Sequence, residues 1–106
     1  MEKIVKNTFR DFELNNGEVV KLTLTFGKLA LLKSVNNPLY TKYNRIQYGK
    51  SEDMLDAVTL VYVAYWCANY GVADSLYTEQ EFIDLVPFDV NEIKRAMNEL
   101  TRPKKK

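Results

Sequence analysis

The feature that most constrains this chain is an uninterrupted apolar run, AVTLVYVAYWCA at residues 57–68, which contains no charged side chain. Its neighbourhood places apolar side chains on three stripes of a helix: Met54, Val58, Val61 and Tyr65; Tyr62, Trp66 and Tyr70; Leu60, Ala64 and Cys67. A helix that is apolar all round must be covered all round. The run is too short to cross a bilayer, which takes ~20 residues. We therefore expect a buried central helix over residues 52–70, capped by Ser51, that needs another chain to complete its cover.

A β-hairpin is predicted ahead of this helix. Residues 9–14 and 18–26 flank the turn sequence Asn15-Asn16-Gly17, and the second run alternates apolar and polar side chains. A two-residue loop would place Glu13 opposite Val20, whereas a three-residue loop with Gly17 in the left-handed conformation pairs Phe12 with Val20. We prefer the three-residue loop.

Four further helices are predicted, over residues 28–36, 38–47, 79–86 and 90–101. Pro38 ends one helix and suits the first turn of the next. The pairs Thr78/Glu81 and Asp89/Glu92 have the spacing of a capping box, in which side chain and backbone at a helix start satisfy each other. The expected fold class is α+β, predominantly α: a hairpin and a compact bundle of about five helices in one domain over residues 1–103, with residues 104–106 as a disordered Lys tail.

The composition offers few of the residues on which catalytic sites usually depend. The chain has no histidine, and its one cysteine, Cys67, lies within the apolar run, as expected of a buried structural thiol in a reducing cytoplasm. Glu79, Glu81 and Asp84 lack the spacing of a calcium loop, and the four glycines form no phosphate-binding cluster. The N-terminus has no secretory signal pattern. We expect a non-enzymatic cytoplasmic protein without cofactor or metal.

Nucleic-acid binding is the alternative from another class. The predicted helices on either side of Val86-Pro87-Phe88-Asp89 have the length of a helix-turn-helix, which would present Asn91, Lys94, Arg95 and Asn98 to a DNA groove. However, the fifteen basic and fourteen acidic residues nearly cancel, giving a formal charge of +1, and the first of the two helices is acidic. The sequence therefore favours ordinary helix packing over DNA binding.

Tyrosine and tryptophan suggest a protein-binding surface instead, because they combine a large contact area with a polar tip. The candidates are Tyr62, Trp66 and Tyr70 on the central helix, with Tyr40, Tyr43 and Tyr48 before it. Core packing of the same residues is the competing interpretation. The sequence does not separate the two.

The order of these segments resembles the tail assembly chaperones of long-tailed, siphovirus-like phages and prophages of Gram-positive bacteria. The resemblance covers most of the chain: FELNNGEVVKLTLTF, GKLALLKSVNN, DMLDAVTLVYVAYWCANY and YTEQEFIDLVPFDVNEIKRAMNEL. It implies a non-catalytic protein that binds amphipathic helices of the tape-measure protein and keeps it soluble while the tail assembles. It also implies self-association when no client is present, and a frameshifted longer form, for which the terminal Lys codons of residues 104–106 would supply the slippery run.

Overall fold

The computed structural model describes residues 9–49 and 51–101. Two antiparallel strands, β1 (Arg10–Glu13) and β2 (Val19–Leu22), are followed by α1 (Phe26–Val35), α2 (Asn37–Gly49), α3 (Met54–Asn69), α4 (Glu79–Leu85) and α5 (Val90–Thr101). The predicted class, predominantly α with an N-terminal hairpin, is confirmed. The residues expected to form the Lys tail lie outside the described part of the chain.

The hairpin has the three-residue loop. Phe12 pairs with Val20, and Gly17 has a φ of 88°, a left-handed conformation that glycine adopts without the steric cost of a Cβ. The amide of Asn15 donates to the carbonyl oxygen of Leu85 at 2.8 Å, which fixes the turn against the end of α4. The predicted register is therefore confirmed.

The second strand ends earlier than expected. Residues up to 26 were assigned to it, but the amide of Thr23 leaves the strand pairing and donates to the carbonyl oxygen of Ala64 on α3 at 3.1 Å. Thr25 then caps α1, its side chain accepting from the amide of Lys28 at 3.1 Å. Phe26 is consequently the first residue of a helix and points to solvent, because the cap competes successfully with strand pairing at this position.

Two of the other helix starts have informative caps. Thr78 and Glu81 form the complete reciprocal capping box on α4, as predicted. The cap of α3 is Asp53, whose carboxylate accepts from the amide of Leu55 at 2.9 Å, so the prediction of Ser51 is wrong. The Ser51 hydroxyl instead accepts from the amide of Asp53 and donates to Asp56.

The central helix is covered by the chain itself. Every residue of α3 from Val58 to Ala68 is buried, with the second strand and the other four helices packed around it. A single core joins the hairpin to all five helices through side chains such as Phe12, Leu32, Val61, Phe82 and Ile93. The expectation that this helix needs a further chain to cover it is wrong. The strand β2 and the helices α1, α2, α4 and α5 together cover its apolar sides.

Candidate functional site

The aromatic residues proposed as a partner surface divide into two groups. Tyr62, Trp66 and Tyr43 are buried, Tyr40 is half-buried, and Tyr70 is 36% exposed. The phenol of Tyr62 donates to the carbonyl oxygen of Tyr77 at 2.9 Å, and the ring of Trp66 stacks on Tyr70 at 4.4 Å between centroids. In this fold Tyr62 and Trp66 are core residues and cannot contact a partner. Tyr70 alone of the three residues on this stripe is open to solvent.

Two strongly exposed aromatic side chains, Phe26 and Tyr48, lie instead on α1 and α2. Two adjoining depressions, of about 290 and 220 Å³, share Phe26, Leu29, Tyr43 and Tyr48 among their lining residues. We call the combined surface the aromatic groove and define it by six side chains: Phe26, Leu29, Tyr40, Tyr43, Tyr48 and Leu100. The groove extends from Leu100, at the end of α5, to the last turn of α1, next to Tyr40 of α2.

Phe26 and Tyr48 are the prominent walls of the aromatic groove. Their exposed fractions are 89% and 73%, values unusual for large aromatic residues that could have packed into a core. Leu29 and Tyr40 are half-buried against the core below them. The groove thus has a fixed floor and projecting walls, which is the arrangement of a surface that accepts an apolar side chain from outside.

Local structure explains why these side chains converge. On α1, Phe26, Leu29 and Lys33 follow one another at intervals of three and four residues and so share a face. The short connection at Asn36 folds α2 back against α1. The backbone oxygen of Asn36 accepts from the amides of Leu39 and Tyr40, both at 3.1 Å. The rings of Tyr40 and Tyr43 then lie 6.1 Å apart, and the ammonium of Lys33 lies 5.6 Å from the centroid of Tyr40.

The side chains of the aromatic groove offer apolar contact area and phenolic hydroxyl groups. Burial, chiefly, raises the pKa of the Tyr43 phenol, which therefore stays protonated and able to donate a hydrogen bond. Burial raises the pKa of the Cys67 thiol to about 12, so this group is not a thiolate nucleophile at neutral pH. Within the described ranges, no cluster of three Cys, Asp or Glu side chains has the geometry to hold a metal ion.

The four residues of the DNA-binding alternative all lie on α5. Asn91, Lys94, Arg95 and Asn98 are exposed, but the guanidinium of Arg95 is held by the carboxylate of Glu92 at 2.8 Å. The two helices pack chiefly against α3 rather than on one another, whereas a helix-turn-helix depends on packing between its two helices. Nothing in this geometry favours DNA binding over protein binding.

The sequence pattern indicated part of the groove. Tyr40, Tyr43 and Tyr48 were recognised as candidates, whereas Phe26, Leu29 and Leu100 were not. Thr25 followed three residues later by Lys28 is the local signal that was overlooked, because a threonine cap there starts the helix at Phe26 and removes it from the strand. Leu100 belongs to the groove only through tertiary packing, for which the sequence has no local signal.

Comparison of the chain with known protein families, curated proteins and solved structures found no match. In the described ranges, no helix combines the length and the apolar character needed to cross a bilayer. The geometry of the aromatic groove therefore carries the functional argument.

Proposed function

We propose that this protein is a non-catalytic tail assembly chaperone that binds amphipathic helices of a phage tape-measure protein in the cytoplasm of the bacterial host. The observation that carries the proposal is the aromatic groove. Its walls, Phe26 and Tyr48, are exposed aromatic side chains that do not belong to the protein's own core. The resemblance in the order of segments supports the identity of the client.

The groove suits a helix better than an extended peptide. Strand addition needs an open sheet edge with free backbone groups, and the groove is walled by helices α1, α2 and α5. A helix laid in an apolar groove contacts it through residues at i, i+3, i+4 and i+7. Tyrosine and phenylalanine provide much of the binding energy at such surfaces, because they bury large area with few rotatable bonds.

Co-expression with a phage tape-measure protein tests the proposal. We expect the tape-measure protein to become soluble and to co-elute with the chaperone in size-exclusion chromatography. The variant Phe26→Ser/Tyr48→Ser should lose the complex while retaining its own fold, because both side chains are exposed and outside the core.

Phe88→Ser is the matched control. Phe88 is 98% exposed, in the connection between α4 and α5, and does not line the groove. Its replacement removes an equally accessible aromatic side chain and should leave the complex intact. Failure of the unaltered chain to bind or solubilise the client would overturn the proposed function, and equal loss in Phe88→Ser would remove the groove from it.

A further inference from the structure

Helices α1 and α2, which provide most of the aromatic groove, contain no acidic residue. Between Glu18 and Glu52 the sequence has only basic charged residues: Lys21, Lys28, Lys33, Lys42, Arg45 and Lys50. In a chain whose formal charge is +1, this is a strong local segregation of charge. The acidic residues of the described ranges lie on the hairpin, at the start of α3, in the segments before α4 and α5, and on those two helices.

Two of these cations are already neutralised. Lys21 pairs with Asp11 at 2.6 Å, and Lys42 pairs with Glu79 at 2.9 Å. Lys33 and Arg45 are exposed, and within the described ranges neither has a carboxylate at ion-pair distance. The carboxylate of Glu99, next to Leu100 at the other end of the groove, is held by Arg10.

Lys28, Lys33 and Arg45 have no ion-pair partner within the described ranges, and the last two lie beside side chains of the groove. Lys33 is among its lining residues, one turn beyond Leu29. Arg45 precedes Tyr48 by three residues on α2, so their side chains are neighbours on the helix surface. The groove thus combines apolar walls with nearby cations that have no carboxylate partner among residues 9–49 and 51–101.

We propose that the occupant of the aromatic groove is an amphipathic helix that carries Asp or Glu beside its apolar anchors, paired with Lys33 and Arg45. This inference rests on the proposed function and specifies the chemistry of the client. A second copy of the chain fits less well, because a symmetric contact through the groove would bring the Lys33 and Arg45 side chains of both copies to one interface without a counter-charge. A nucleic acid fits less well because the groove is lined by apolar walls rather than by a row of cations.

Binding of designed helical peptides tests the inference. Three peptides with the same leucine anchors at i, i+3, i+4 and i+7, and with flanking positions all Glu, all Gln or all Lys, are titrated into the intact protein and followed by fluorescence anisotropy. We expect the Glu peptide to bind about five- to tenfold more tightly than the Lys peptide at low salt, as for two exposed ion pairs, and the preference to shrink in high salt.

Charge reversal on the protein supplies the decisive comparison. Lys33→Glu/Arg45→Glu should invert the peptide preference, whereas Lys94→Glu, an exposed lysine on α5 outside the groove lining, should leave it unchanged. Phe26→Ser/Tyr48→Ser should abolish binding of all three peptides. Equal affinities for the three peptides would overturn the acidic-partner inference and leave the proposed function standing, since an apolar helix would still bind.

Two other results would also overturn the inference. Concentration-dependent dimerisation of the chain alone, removed by Phe26→Ser/Tyr48→Ser in sedimentation velocity, would assign the groove to a second copy. Displacement of the Glu peptide by duplex DNA, sensitive to Lys33→Glu/Arg45→Glu, would assign it to nucleic acid. Absence of binding to any peptide together with absence of a tape-measure complex would instead overturn the proposed function itself.

Discussion

Tyr62 carries a polar hydroxyl into the packed interior, and the backbone accepts its hydrogen bond. The phenol donates to the carbonyl oxygen of Tyr77 at 2.9 Å, its ring lies 5.5 Å from that of Phe82, and burial, chiefly, raises its pKa to about 12. Because a buried phenolate would be desolvated and could not donate, the folded state strongly favours the neutral form. Ionisation of this residue therefore makes the fold less stable at alkaline pH.

Tyr62→Phe should lower the free energy of unfolding at pH 7 by about 1–2 kcal/mol, because the carbonyl of Tyr77 loses its donor. In the unaltered chain, the stabilisation from a pKa raised above its ordinary value near 10 is complete below about pH 10 and is lost as pH rises towards 12. The variant should decline less steeply over that interval in urea unfolding. Tyr48→Phe, at an exposed position, is the control, and an equal decline in Tyr62→Phe would contradict the assignment.

Cys67 should be protected from thiol reagents by its environment. Burial raises its pKa to about 12, so at pH 8 only about one thiol in ten thousand is ionised, and the side chain is inaccessible in the core. We expect slow reaction with a chromogenic disulfide reagent in buffer and complete, fast reaction in guanidinium chloride. Rapid labelling of the folded protein would show that the packing around α3 opens more readily than this structure implies.

At the scale of single elements, the start of α4 is the strongest local feature. Thr78 accepts from the amide of Glu81 at 3.2 Å, and the carboxylate of Glu81 accepts from the amide of Thr78 at 2.9 Å. Thr78→Ala should lower the free energy of unfolding by about 1 kcal/mol, because the backbone amide of Glu81 loses its side-chain acceptor. Thr41→Ala, at an exposed position within α2, should change it by less than about 0.5 kcal/mol. Equal effects in chemical denaturation would contradict the role of the cap.

Elements with a local chemical cause could be predicted from the sequence. The turn at Gly17 and the cap at Thr78 depend on residues within a few positions of each other, and both were predicted. The assignment of Phe26 failed because two local rules compete there, alternation favouring a strand and Thr25 favouring a helix start. The prediction of the α3 cap failed for a similar reason. Ser51 and Asp53 are both good capping residues, and only the packing of the following turn selects between them.

For the whole molecule, the shared core predicts one cooperative unfolding transition. Side chains of the hairpin and of every helix contribute to the same buried cluster, and Trp66 on α3 is one of its members. Fluorescence of Trp66 and far-UV circular dichroism should therefore give the same midpoint in urea. Separate midpoints would indicate that the hairpin or α5 unfolds independently of the rest.

The position of the aromatic groove could be predicted only in part, because it depends on how the elements pack against one another. Periodicity identifies which residues are apolar and which face they share, but the partner of each face is decided by tertiary packing. Tyr62 and Tyr48 look alike in the sequence, yet Tyr62 is enclosed by α4 and Tyr48 extends from the end of α2. The chain covers its own central helix, and two of its most exposed aromatic side chains, Phe26 and Tyr48, lie on α1 and α2 instead.

Because Phe26 and Tyr48 lie outside the core, selection for binding and selection for folding act on different residues. Under the proposed function, substitutions at these two positions should alter what the protein binds without altering its cellular level, whereas substitutions at Phe82 or Val61 should lower that level first. In a saturation screen that scores cellular level and phage yield in parallel, variants with normal level and low yield should concentrate at Phe26, Lys33, Arg45 and Tyr48. Under the same proposal, client preference would diverge between related phages through changes at a few surface positions, without compensating substitutions in the core.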